Sequence, residues 1–65
     1  MGVEIQVWDK ESRELGVATL LAIPPEGPND LVGSVPFQLA VAIAREISDG
    51  RREGIIGGCR WVRTA

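Results

Sequence analysis

Ser34-Val35-Pro36-Phe37-Gln38-Leu39-Ala40-Val41-Ala42-Ile43-Ala44-Arg45-Glu46-Ile47-Ser48-Asp49-Gly50 is the stretch on which the fold turns. Phe37, Ala40, Val41, Ala44 and Ile47 recur at helical spacing, and Leu39 and Ile43 widen the stripe. Gln38, Ala42, Arg45, Glu46 and Asp49 form the wetter side. Ser34 stands where a side-chain oxygen caps a helix, and Pro36 falls in the first turn, where a missing N–H costs little. Gly50 supplies the left-handed stop. One helix over Val35 to Ser48 is predicted, and its apolar stripe needs a second layer to cover it.

The flanking segments supply that layer as strands. Val3, Ile5 and Val7 alternate with Glu4, Gln6 and Trp8, the period-2 pattern of a half-buried strand. Asp9-Lys10-Glu11-Ser12-Arg13-Glu14 reads as a solvated turn. Leu15 to Ile23 follows, with Val17, Thr19, Leu21 and Ile23 on one face. Because Ala18, Leu20 and Ala22 are apolar too, this second segment is a strand covered on both faces or a short helix, with a hairpin preferred. Pro24-Pro25 ends it, and Glu26-Gly27-Pro28-Asn29-Asp30 is a loop. After the helix, Gly54 to Arg63 reads as a final strand in which the paired Gly57 and Gly58 mark a bulge or a close backbone approach. The order strand, strand, helix, strand predicts an α+β domain: a small antiparallel sheet with one helix packed on one face.

Length limits what such a domain can do. The chain has 65 residues, of which 45% are hydrophobic, enough for one small core and too many for a disordered segment. It is therefore read as a single domain, 1–65. Cys59 is the only cysteine, so no disulfide forms within the chain, and no metal-ligand spacing recurs. Stability must come from packing or self-association, and a mean hydropathy of +0.08 leaves apolar surface to be covered by a partner. Met1 to Val7 shows no basic start ahead of an apolar run, and Gln6 stands where an N-terminal lipidation signal needs a hydroxyl. The apolar runs fall short of the ~20 residues of a spanning helix. A soluble, cytoplasmic protein without a membrane partner is expected.

The chain contains no histidine and no tyrosine, which removes the commonest general bases and nucleophile partners. Cys59 beside Arg60 has no base to activate it and reads as a small buried side chain. Gly54, Gly57 and Gly58 enclose isoleucines and lack the Gly-Lys-Ser/Thr of a phosphate loop. Glu11 and Glu14 lie in a turn without an apolar pocket to separate their acidities. No catalytic residues, metal or cofactor are expected, and binding is favoured over enzymatic chemistry.

Charge is unevenly distributed. Residues 1–50 carry eight acids against three bases, whereas residues 51–65 carry one acid against four bases, for a net charge of −2 and a pI near 4.9. Trp8, on the polar phase of the first strand, is the candidate aromatic anchor of a protein interface. The acids Asp9, Glu11, Glu14, Glu26, Asp30, Glu46 and Asp49 are candidates to meet a basic partner. In the alternative reading, Arg51, Arg52, Arg60 and Arg63 contact phosphates while Trp61 stacks on a base, although a large aromatic in so small a domain reads first as core. A third reading is a structural or antitoxin-like subunit whose last strand adds to another sheet.

A free-standing cytoplasmic chain of this length, acidic overall, with a hairpin-helix-strand layout and no catalytic set, resembles the small phage-encoded inhibitors of bacterial defence. These include the anti-CRISPR proteins that act on type I systems. The likeness extends over the whole chain in size and character and carries no motif. It implies a non-enzymatic inhibitor in the host bacterial cytoplasm, monomer or homodimer. Some of Asp9, Glu11, Glu14, Glu26, Asp30, Glu46 and Asp49 would occupy a basic DNA-binding surface on a subunit of the CRISPR interference complex.

Overall fold

The computed structural model describes residues 2–65. It contains five strands and one α-helix: β1 (Val3–Trp8), β2 (Glu14–Leu20), β3 (Leu31–Gly33), α1 (Phe37–Ser48), β4 (Glu53–Ile56) and β5 (Cys59–Arg63). A short 3₁₀ turn, Pro28–Asp30, leads into β3. The strands form one antiparallel sheet in the order β3-β2-β1-β5-β4, and α1 packs against it, so the α+β class holds.

Two strands more than expected make up this sheet, and each has a local cause. Leu31–Gly33 lies in what reads as a loop margin, yet Thr19 and Leu20 take Val32 and Leu31 as ladder partners. A three-residue strand is too short to show a period. The expected final strand is a hairpin: Gly57 and Gly58 both have positive φ, +58° and +85°, and connect Ile56 to its partner Cys59. Two successive residues in that region make the tight turn whose twist matches antiparallel strands, so the glycines end the ladder and do not bulge it.

The second segment is a strand, shorter than expected and covered on one face only. It stops at Leu20, leaving Leu21 and Ile23 outside, and its inward residues are Ala18 and Leu20. Val17 points away from the helix and is 45% exposed. The irregularity in this sheet falls elsewhere, between Val7 and Trp8, where β2 places Glu14 and Leu15 opposite a single residue of β1.

α1 begins at Phe37 with Pro36 as its flanking residue and without a side-chain cap. Ser34 does not cap it: the cap position falls two residues later, on Pro36, and the Ser34 amide donates to the Val17 carbonyl oxygen at 3.2 Å, extending the β2–β3 ladder. At the other end Gly50 has φ +91° and its amide donates to the Ile47 carbonyl oxygen at 2.9 Å, the left-handed stop foreseen from sequence. Ala40, Ile43 and Ala44 are buried against the sheet and Leu39 and Ile47 are half-buried, whereas Phe37 lies at the exposed rim.

The core lies between α1 and the inward sheet face, where Ile5, Val7, Ala18, Leu20 and Trp61 join Val35, Ala40, Ile43 and Ala44. Trp61 is fully buried and its ring is the largest side chain of the core, as a large aromatic in so small a domain is first read; the base-stacking role of the alternative reading is thereby corrected. α1 is too short to cross a membrane.

Candidate protein-binding face

One helix covers one side of the sheet, and the other side is left to solvent. Because cross-strand partners share a face, the pairing registers define what that open side displays. Its first row runs Glu14–Trp8–Arg60–Ile55 across β2, β1, β5 and β4. The second runs Val17–Gln6–Val62–Glu53, and the third runs Val32–Thr19–Glu4. Apolar side chains on this side are well exposed: Val17 at 45%, Val32 at 60% and Ile55 at 69%. Their neighbours Trp8 and Val62 are half-buried.

The first row is organised around Trp8. The Arg60 guanidinium lies over the Trp8 ring, 4.3 Å from its centroid, a cation–π contact that holds both side chains across β1 and β5. On the other flank, Gln6 Nε2 donates to Glu14 Oε1 at 3.0 Å and ties that carboxylate down beside Trp8. The result is an aromatic plate held between a fixed cation and a fixed anion. Three carboxylates (Glu4, Glu14, Glu53) and one guanidinium (Arg60) share the face; the exposed aliphatic residues are spread among them, Val17 on β2 and Val32 and Ile55 on the two edge strands.

Of the acids expected to form a surface, the fold brings together only some. Asp9, Glu11 and Glu14 share the β1–β2 end. Glu26 and Asp30 lie in the β2–β3 connection at the opposite end of the sheet, and Glu46 and Asp49 lie at the C-terminal end of α1. Several have structural duties. Asp9 Oδ1 accepts hydrogen bonds from the Glu11 and Arg13 amides at 2.8 and 2.9 Å and shapes the turn. Asp30 Oδ2 accepts one from the Glu26 amide at 3.0 Å. Glu11 faces Arg13 at 3.4 Å, with both side chains well exposed. Glu46 reaches Arg51 at 3.8 Å from a half-buried position. Asp49 caps the helix end through its backbone.

The arginines are likewise divided. Arg60 belongs to the open face. Arg63 is paired with Ile5 and so leans to the helix side, where its Nε donates to the Ala65 carbonyl oxygen at 3.4 Å. Arg52 is joined to Arg63 through the backbone, and Arg51 is engaged with Glu46. Arg60 thus stands on the opposite side of the sheet from Arg63, while Arg52 is the ladder neighbour of Arg63.

Sequence reasoning named Trp8 and Glu14 for this face and missed Glu4, Glu53, Val17, Val32, Ile55 and Val62. Glu4 is legible from its phase, two and four residues from Gln6 and Trp8. The others need the registers of β2, β3, β4 and β5, which no local pattern supplies. No family model matches this chain, and no curated protein or solved structure matches it either.

Proposed function

We propose that this chain is a non-enzymatic binding protein that engages a protein partner through the open face of its sheet. The observation that carries this reading is the uncovered sheet face, where Trp8 lies under Arg60 on the central strand and exposed Val17, Val32 and Ile55 extend the apolar surface toward both edges. Tryptophan anchors set among well-exposed aliphatic side chains concentrate binding energy, and a charged margin selects the partner. With Glu4, Glu14 and Glu53 around it, the face fits a partner whose contact surface is basic.

The resemblance in size and character to phage inhibitors of type I CRISPR interference identifies a concrete partner class. In this proposal the face occupies a basic DNA-binding surface of the interference complex and competes with target DNA, without turnover. The alternative of direct nucleic-acid binding is weaker, because its stacking residue Trp61 is buried, Arg60 lies over Trp8 on the other side of the sheet from Arg63, and Arg51 is engaged with Glu46.

The test is titration of labelled chain with a purified type I interference complex, with target duplex as competitor. The expected result is displacement by the duplex and weakening by tenfold or more as salt rises from about 0.1 M to about 1 M, where the Debye length shrinks from ~10 to ~3 Å. Trp8→Ala should weaken binding by roughly 30-fold, the scale of an interface hot spot. Binding indifferent to duplex, salt and Trp8→Ala would overturn the reading.

A further inference from the structure

The open face ends at β4, and there the sheet offers more than side chains. In an antiparallel ladder, residues alternate between pairs that exchange backbone hydrogen bonds and pairs that do not. The Arg63 amide donates to the Arg52 carbonyl oxygen at 2.8 Å, which fixes the phase of the β4–β5 ladder. Gly54 with Trp61 and Ile56 with Cys59 are then the bonded pairs, and Glu53 and Ile55 turn their N–H and C=O groups outward. β4 is an edge strand, so these groups have no strand beyond them.

The side chains of the same two residues are exposed on the open face. Ile55 is the most exposed large hydrophobic residue of the described chain, and Glu53 has no ion-pair partner among the described residues. Both edges are short, three residues in β3 and four in β4; what distinguishes β4 is that its outward-turned residues, Glu53 and Ile55, also carry exposed side chains.

We propose that the β4 edge accepts an extended segment of the partner as a sixth, antiparallel strand, bonded through the backbones of Glu53 and Ile55. Side-chain chemistry sets its pattern. The residue opposite Ile55 is apolar, and the residue two places later, opposite Glu53 on the same face, is lysine or arginine. The partner is thus recognised as apolar-x-basic, and its strand extends the open face that carries Trp8. This inference rests on the protein-binding reading above and specifies how that partner is held.

The probe is a synthetic, end-blocked nonapeptide, Thr-Ile-Thr-Lys-Thr-Ile-Thr-Lys-Thr, added to the ¹⁵N-labelled chain and followed by amide spectra and hydrogen exchange. Slowing of Glu53 and Ile55 amide exchange by roughly tenfold or more is expected, with smaller effects elsewhere. Ile55→Pro removes one outward N–H without touching a bonded pair of the β4–β5 ladder, so it should abolish binding, whereas Ile55→Ala should keep the backbone protection. Glu53→Lys, at an exposed position, should shift preference to the peptide with glutamate in place of lysine, which gives a second measure if the proline variant melts early. No protection, or equal binding by Ile55→Pro in its folded state, overturns the proposal. Protection of Ile55 that grows with chain concentration alone overturns it in favour of pairing between two copies. Peptide-induced shifts at Gln6, Val17 and Val62 without Glu53 and Ile55 overturn the edge mode and leave the open-face reading standing.

Discussion

Asp9 shows how one side chain can decide a turn. Its carboxylate accepts two backbone amides while its own amide donates to the Arg13 carbonyl oxygen at 2.9 Å, so the chain reverses within five residues. Asp9→Ala should cost about 1–3 kcal/mol in urea unfolding, the range for removing the acceptor of charge-assisted bonds. Within that turn Ser12 has φ +67°, a left-handed conformation that strains residues with a Cβ. Ser12→Gly should therefore raise the urea midpoint slightly, by up to ~1 kcal/mol, and a fall would show that the Ser12 side chain has a role of its own. The composition of Asp9 to Glu14 reveals that there is a turn. It does not reveal that Asp9 is committed to building it and so is poorly free to meet a partner.

At the scale of elements, the pair Gly57-Gly58 separates β4 from β5. Asn is the other residue that tolerates the first position of such a turn, so Gly57→Asn should leave thermal stability within about 0.5 kcal/mol, while Gly58→Val should lower it by about 1–2 kcal/mol. Equal effects would mean that the turn is not the one described. The same glycines read as a bulge in sequence because Ile55, Ile56, Trp61 and Val62 look like one continuous run. Only the pairing of Ile56 with Cys59 shows the run folding back on itself. The helix was more legible: its stripe and its Gly50 stop are properties of neighbouring residues on a 3.6-residue period. Its start was not, because Ser34 is equally suited to a cap and to a strand end, and the β2–β3 ladder takes it.

For the whole molecule, the decisive feature is that a single helix covers one side of a five-stranded sheet. This asymmetry predicts unequal costs for similar truncations. Ile43→Ala, at a fully buried position between helix and sheet, should cost about 2–5 kcal/mol of unfolding free energy. Val17→Thr, on the open side and 45% exposed, should change stability by less than about 0.5 kcal/mol. The two measured by chemical denaturation check the assignment of faces directly; a large loss at Val17 would place it in a covered core. If the open face is the contact surface, Val17→Thr should then weaken partner binding while leaving folding intact, a separation that a core residue cannot show.

What the sequence by itself determined was local: the phase of β1, the body and end of α1, the existence of the β1–β2 turn, and hence the α+β class. Those features follow from side-chain period and turn chemistry over a few residues, which the chain carries wherever it goes. Trp61 already reads as core and Trp8 as surface in the sequence; tertiary structure added that the two indoles lie on paired strands, β5 and β1, on opposite sides of the sheet. It also decided that Glu4, Glu14 and Glu53 share a face while Glu26, Asp30 and Asp49 do not. The physical reason is that register joins residues far apart in sequence, and shifting a strand by one residue exchanges its two faces.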